Sequence, residues 1–85
     1  MKYFLYILKS KKYDKYYTGI SQNPQGRLEY HNTLEKGFTS RYRPWKLMFV
    51  KEYSSKEEVR LIEKKIKDWK SKKMIEKILL GNFEL

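Results

Sequence analysis

The chain predicts an α+β fold, a three-stranded antiparallel sheet flanked by helices in the order β-β-α-β-α-α, within one domain over residues 1–85. Three observations lead there. Lys2 to Lys9 (KYFLYILK) is apolar at nearly every position, as a strand buried on both faces must be. A polar turn, Lys11 to Lys15, separates it from a second β-rich run. Val59, Ile62, Ile66 and Trp69 recur at helical spacing.

The second strand runs from Tyr16 to Ser21 and closes a hairpin. Pairing Tyr6 with Tyr17 puts both side chains on one sheet face, which Gly19 shares by alternation. Asn23-Pro24 starts a helix, with Asn as cap and Pro where a missing N–H costs nothing. That helix is expected to reach about Lys36 and stop at Gly37, with Gly26 an awkward interior residue. Phe38 to Trp45 (FTSRYRPW) reads as a basic, aromatic loop, in which Trp45 packs inward and Tyr42 packs or stacks on a base. Lys46 to Tyr53 is the third strand. Ser55 and Glu58 form a capping box for the helix that follows, and Ser71 caps a last short helix bearing Ile75, Ile78 and Leu79.

Composition narrows the function. Hydrophobic content of 40% and aromatic content of 16% can support one modest core, so the chain is not compositionally disordered. It has no cysteine, so disulfides and thiolate metal sites are excluded. No apolar run is long enough to span a membrane, and lysines 9, 11 and 12 interrupt any signal-like start, so a cytoplasmic protein is expected. The net charge is +10. Lys and Arg outnumber Asp and Glu by eight to three in residues 1–42 and by twelve to seven in 43–85, so each half carries +5. Charge spread in this way attracts a polyanion, nucleic acid above all.

Within that frame a few residues can bear chemistry. Arg27 and His31, one turn apart, share a helix face and either face solvent or hold a phosphate. Glu63 lies at the edge of the apolar stripe of its helix and is spaced to pair with Lys67. A single carboxylate is enough for a magnesium ion that keeps several waters. A phenol is ionised to about one part in a thousand at pH 7, so a basic role for Tyr17 requires neighbouring cations.

Together these residues resemble the GIY-YIG nuclease family, in particular its small stand-alone bacterial members, named by likeness to the incision subunit of nucleotide-excision repair. Phe4-Leu5-Tyr6 is similar to the first motif and Tyr17-Thr18-Gly19 to the second. Gly19-Ile20-Ser21 leading to Arg27-Leu28 and His31-Asn32 is similar to the passage into the helix. Thr39, Arg43 to Leu47 (RPWKL) and Glu63 to Trp69 (EKKIKDW) match the stand-alone branch. Phe4 and Thr18 depart from the motif letters at positions where strand packing decides. Asn82 lies farther beyond the glutamate than the family's helical asparagine, and no role is transferred to it.

The resemblance implies phosphodiester hydrolysis with one divalent cation, Mg²⁺ or Mn²⁺. Glu63 would hold the metal, and Tyr17 would act as base or orient the attacking water with support from Tyr6. Arg27 would stabilise charge at phosphorus, and His31 would be a second catalytic or phosphate-contacting group. Gly19, Arg41 and Arg43 are expected at the nucleic acid. The substrate would be DNA, branched or damaged, with RNA an alternative and a protein partner supplying the target choice. A nucleic-acid-binding module of the same fold without turnover is the other reading.

Overall fold

Leu5, Tyr6, Ile7 and Leu8 are all fully buried, so the first strand has no solvent face. This continuous apolar run makes it the middle strand of an antiparallel sheet ordered β2-β1-β3. The three strands are β1 (Tyr3–Ser10), β2 (Tyr16–Ser21) and β3 (Trp45–Tyr53). The computed structural model describes residues 2–34, 36–69 and 72–81. Its helices are α1 (Pro24–Thr33), α2 (Phe38–Arg41), α3 (Lys56–Trp69) and α4 (Lys72–Leu79). The Ser71 cap and Asn82 lie outside the described residues.

Alternation along β1 divides the interior in two. Leu5 and Ile7 point to α3 and α4 and form an aliphatic cluster with Val59, Ile66 and Ile78. The predicted stripe closes it, since Ile62, Trp69, Ile75 and Leu79 pack against the same group. Tyr6 and Leu8 point the other way, onto Trp45 and Leu28 of α1. Burying a Leu- or Ile-sized side chain contributes about 1.5–3 kcal/mol. That contribution is larger on the α3–α4 face, whose cluster has six buried residues against three on the other among the described residues.

The hairpin register differs from expectation by two residues. Tyr6 stands opposite Gly19, and Tyr17 opposite Leu8. Ser10 explains the shift: its Oγ accepts from the backbone N–H groups of Lys12 (3.2 Å) and Tyr13 (3.1 Å), and its own N–H donates to Lys15 O (3.0 Å). These bonds centre the turn later than the tyrosine pairing assumed. Face parity is kept, so Tyr6, Tyr17 and Gly19 do share one face.

The first helix ends at Thr33 rather than Lys36. The Thr33 hydroxyl donates to Glu29 O at 2.7 Å, and Leu34 beyond it is exposed, so no apolar contact extends the helix. At the other end Asn23 Oδ1 accepts from Gly26 N–H at 3.1 Å. A Cβ at Gly26 would lie 2.7 Å from Asn23 Nδ2, so the glycine makes room for the cap. Gly37 does not stop α1; it stands at the N-cap of α2, one turn inside the stretch expected as loop. Ser55 Oγ caps α3 by accepting from Glu58 N–H at 3.3 Å.

Candidate active site

At the edge strand β2 the sheet meets α1 from one face and α3 from the other, leaving a cleft of about 510 Å³. Tyr6, Tyr17 and Gly19 enter it from the hairpin, Arg27 from α1 and Glu63 from α3. Five of the residues expected at a site thus line one cavity.

Gly19 has a reason to be glycine. A Cβ there would lie 2.5 Å from Tyr6 Oη and 2.6 Å from Cζ, because the Tyr6 ring lies against the opposing strand. Tyr6 is then fixed at its tip. Its hydroxyl is hydrogen-bonded to His31 Nε2 at 2.9 Å, and the Arg27 guanidinium lies near enough to act on it electrostatically. Burial pushes the Tyr6 phenol above its usual value of 10, the Arg27 guanidinium opposes this, and nearby Tyr17 and Glu63 add to the rise. Tyr6 is therefore protonated at neutral pH.

His31 is not on a solvated helix face. It is 1% exposed, and its Nδ1 is hydrogen-bonded to Thr39 Oγ1 at 3.1 Å, so both ring nitrogens are engaged. Thr39 is fixed in turn, since Trp45 Nε1 donates to its carbonyl at 2.8 Å. Asn32 closes the bracket: its Oδ1 accepts from Trp45 N–H at 2.6 Å and its Nδ2 donates to Trp45 O at 3.2 Å. His31 does not itself line the cleft; it lies behind Tyr6, bonded to the Tyr6 hydroxyl.

Tyr17 is half-buried and packs at a tilt against this group, its ring 4.7 Å from that of His31 and 6.4 Å from that of Tyr6. Lys67 Nζ lies 5.8 Å from its centroid and 3.3 Å from Glu63 Oε2. The Arg27 guanidinium stacks on Tyr30 at 4.5 Å, which holds it at the cleft wall.

Arg41 and Arg43 do not line the cleft. Arg43 Nε donates to His31 O at 2.7 Å, bracing α1 against the approach to β3, and Arg41 is exposed. Tyr42 and Trp45 both pack inward, Trp45 2% exposed. Ser10 Oγ holds the loop by donating to Tyr42 O at 2.7 Å. The loop expected at the nucleic acid is thus largely a brace.

Two cations absent from the expectation, Lys56 and Arg60, also line the cleft. They stand on α3 at seven and three residues before Glu63, on one helix face, and this spacing beside the Val59–Ile66 stripe was a legible signal. Among the described residues Glu63 is the one carboxylate lining the cleft, with its side chain 24% exposed. No group of three or more candidate metal ligands occurs among the described residues. The donor set nevertheless fits a hard cation that keeps its waters and takes the rest of its oxygens from a phosphate. Where Arg27, Lys56 and Arg60 outnumber one carboxylate, such an ion is held best when substrate is present.

Residues 2–77 match the family model described as the GIY-YIG catalytic domain. The chain belongs to the GIY-YIG family. It is also similar to the solution NMR structure of the UPF0213 protein BH0048 from Bacillus halodurans, at 27% identity and a TM-score of 0.59, covering 93% of this chain and 83% of that one. Comparison with curated proteins finds no match. GIY-YIG domains are nuclease domains, generally dependent on divalent metal, and membership implies a nucleic-acid substrate. No described helix is long and apolar enough to cross a membrane.

Proposed function

We propose that the protein is a metal-dependent endonuclease that hydrolyses DNA phosphodiester bonds. The observation that carries this reading is the convergence of Tyr6, Tyr17, Arg27 and Glu63 on one cleft, with Lys56 and Arg60 added. Arg27, Lys56 and Arg60 bind the phosphate, and Arg27 stabilises the charge that grows on it as the bond breaks. Tyr17 orients the attacking water and takes its proton. Tyr6, kept protonated by burial, lies beside Arg27 and adds no negative charge to the cleft. Glu63 would hold the ion, Mg²⁺ or Mn²⁺, which when bound polarises the phosphoryl oxygen and acidifies water. Until then Lys67 neutralises the Glu63 carboxylate from the neighbouring wall. DNA with branches or damage is the substrate class, and a partner protein would add to the choice of target.

A second reading, a nucleic-acid-binding module without turnover, draws on the surplus of cations around a lone carboxylate already paired with Lys67. The two separate in a nicking assay on supercoiled plasmid with Mg²⁺, Mn²⁺ or EDTA, run on wild type, Glu63→Ala and Tyr17→Phe. Metal-dependent nicking lost in both variants supports the nuclease. Salt-sensitive binding with no nicking under any condition would leave the binding module.

A further inference from the structure

A second cavity, about 290 Å³, opens on the other side of Tyr17, between β2 and the α3–α4 pair. Tyr17 lines both cavities, and Lys67, at the wall of the second, is ion-paired with Glu63 of the first. The two spaces are therefore consecutive along the edge strand. Their chemistry differs. The cleft is dominated by charge, whereas the second cavity has an apolar floor of Ile66 and Ile75 beside the Tyr16 ring. Three lysines rim it, Lys15, Lys67 and Lys72, and no acid lines it among the described residues. Asp14 pairs with Lys72 at 2.8 Å from outside, where both side chains are at least half exposed.

We propose that this cavity binds one unpaired nucleotide of the strand whose phosphate occupies the cleft, so that the protein prefers single-stranded or junction nucleic acid to intact duplex. The inference rests on the nuclease reading for the position of that phosphate. An unpaired nucleotide presents the complement of this cavity: an apolar, flat base between anionic phosphates. Ile66, Ile75 and Tyr16 receive the base, and Lys15 and Lys72 meet the flanking phosphates. A base inside a duplex is stacked and paired, and cannot enter without being extruded. Charge alone would not discriminate in this way, because a duplex offers more phosphate per length than a single strand.

The test is equilibrium binding in EDTA, read by fluorescence anisotropy with a labelled forked oligonucleotide, the matching duplex, and forks in which one abasic residue is walked along the unpaired arm. The fork should bind about tenfold tighter than the duplex, and one abasic position should cost about fivefold or more. Lys15→Ala/Lys72→Ala should abolish both effects, and so should Ile75→Trp, which fills the cavity. Lys73→Ala/Lys77→Ala removes the same charge from exposed positions on α4 and should keep both. Circular dichroism checks that each variant is folded, and Lys15 and Lys72 are exposed enough for that pair to remain informative if Ile75→Trp is not. Equal affinity for fork and duplex, or a flat abasic scan, overturns the proposal. Plasmid nicking run in parallel separates the two readings. Nicking with a flat scan overturns the cavity alone, a positive scan without nicking supports the cavity and removes the nuclease, and absence of both overturns both.

Discussion

The two faces of β1 carry unlike interiors. Toward α3 and α4, Leu5 and Ile7 meet Val59, Ile66, Ile78 and the Tyr53 ring, a mainly aliphatic group. Toward α1, Tyr6 meets His31, which meets Thr39, whose carbonyl meets Trp45, each joined by a hydrogen bond. Aliphatic contacts are non-directional, so the first face is held by area and volume. Hydrogen bonds fix angles, so the second face is held by direction. The difference separates the tasks: one face keeps the chain folded, and the other aims a tyrosine and an arginine into the cleft.

Substitutions should separate the faces in the same way. The largest effect is expected from Arg27→Ala, which should lower nicking by about 10²–10³-fold while the thermal midpoint hardly moves. A comparable fall in stability would mean that Arg27 serves the fold instead. Ile78→Ala, in the same cluster but lining neither cavity, should do the opposite, costing about 2–5 kcal/mol in urea unfolding with nicking per folded molecule unchanged. If nicking fell in step at a temperature where the variant is fully folded, the aliphatic face would also be aiming the site.

Thr39→Val tests the join between the two tasks. It removes the Nδ1 partner of a buried histidine and should cost about 1–2 kcal/mol. Nicking should fall roughly tenfold, because the Tyr6–His31 pair loses its anchor. Thr39→Ser keeps the hydroxyl and should restore nicking more than stability, an outcome that a packing role alone would not give.

The smallest effect is on alkaline stability. Burial raises the Tyr6 phenol in the folded chain above its unfolded value of 10. Above that value the unfolded chain releases the proton first and binds fewer protons than the native one, so stability is intact below about pH 10 and declines as pH rises through the native value. Tyr16 and Tyr53 are shifted the same way, also chiefly by burial. Urea midpoints measured from pH 8 to 11 should fall more steeply for wild type than for Tyr6→Phe. Equal slopes would show that Tyr6 contributes nothing to the decline.

Legibility in the sequence follows the same division. The aliphatic face was readable because Val59, Ile62, Ile66 and Trp69 obey a local period, and because an unbroken apolar run announces a central strand. The strand order, the α3 stripe and the residues that gather at the cleft followed from such patterns joined to the family motifs. What escaped depends on individual hydrogen bonds, most of them between residues remote in sequence. The burial of His31 rests on Tyr6, 25 residues away, and nothing in its helical neighbours signals it. The register missed by two because a serine hydroxyl organised the turn. Arg43 reads as a basic loop residue, yet its guanidinium is committed to a backbone carbonyl twelve residues back.

The position of the cleft along β2 has a consequence for the life of the protein in a crowded solution. An edge strand offers unpaired backbone groups to any other strand, including one from a second copy. Here Lys15, Arg27, Lys56, Arg60 and Lys67 stand around that edge. Two copies approaching edge to edge meet like charge, and a polyanion seated there covers the same ladder of amides. The residues gathered for substrate thereby also act as a guard against self-association. That guard is electrostatic and weakens as ionic strength rises. Concentrated salt, usually the friend of a basic protein's handling, should here release nucleic acid and invite aggregation in the same step.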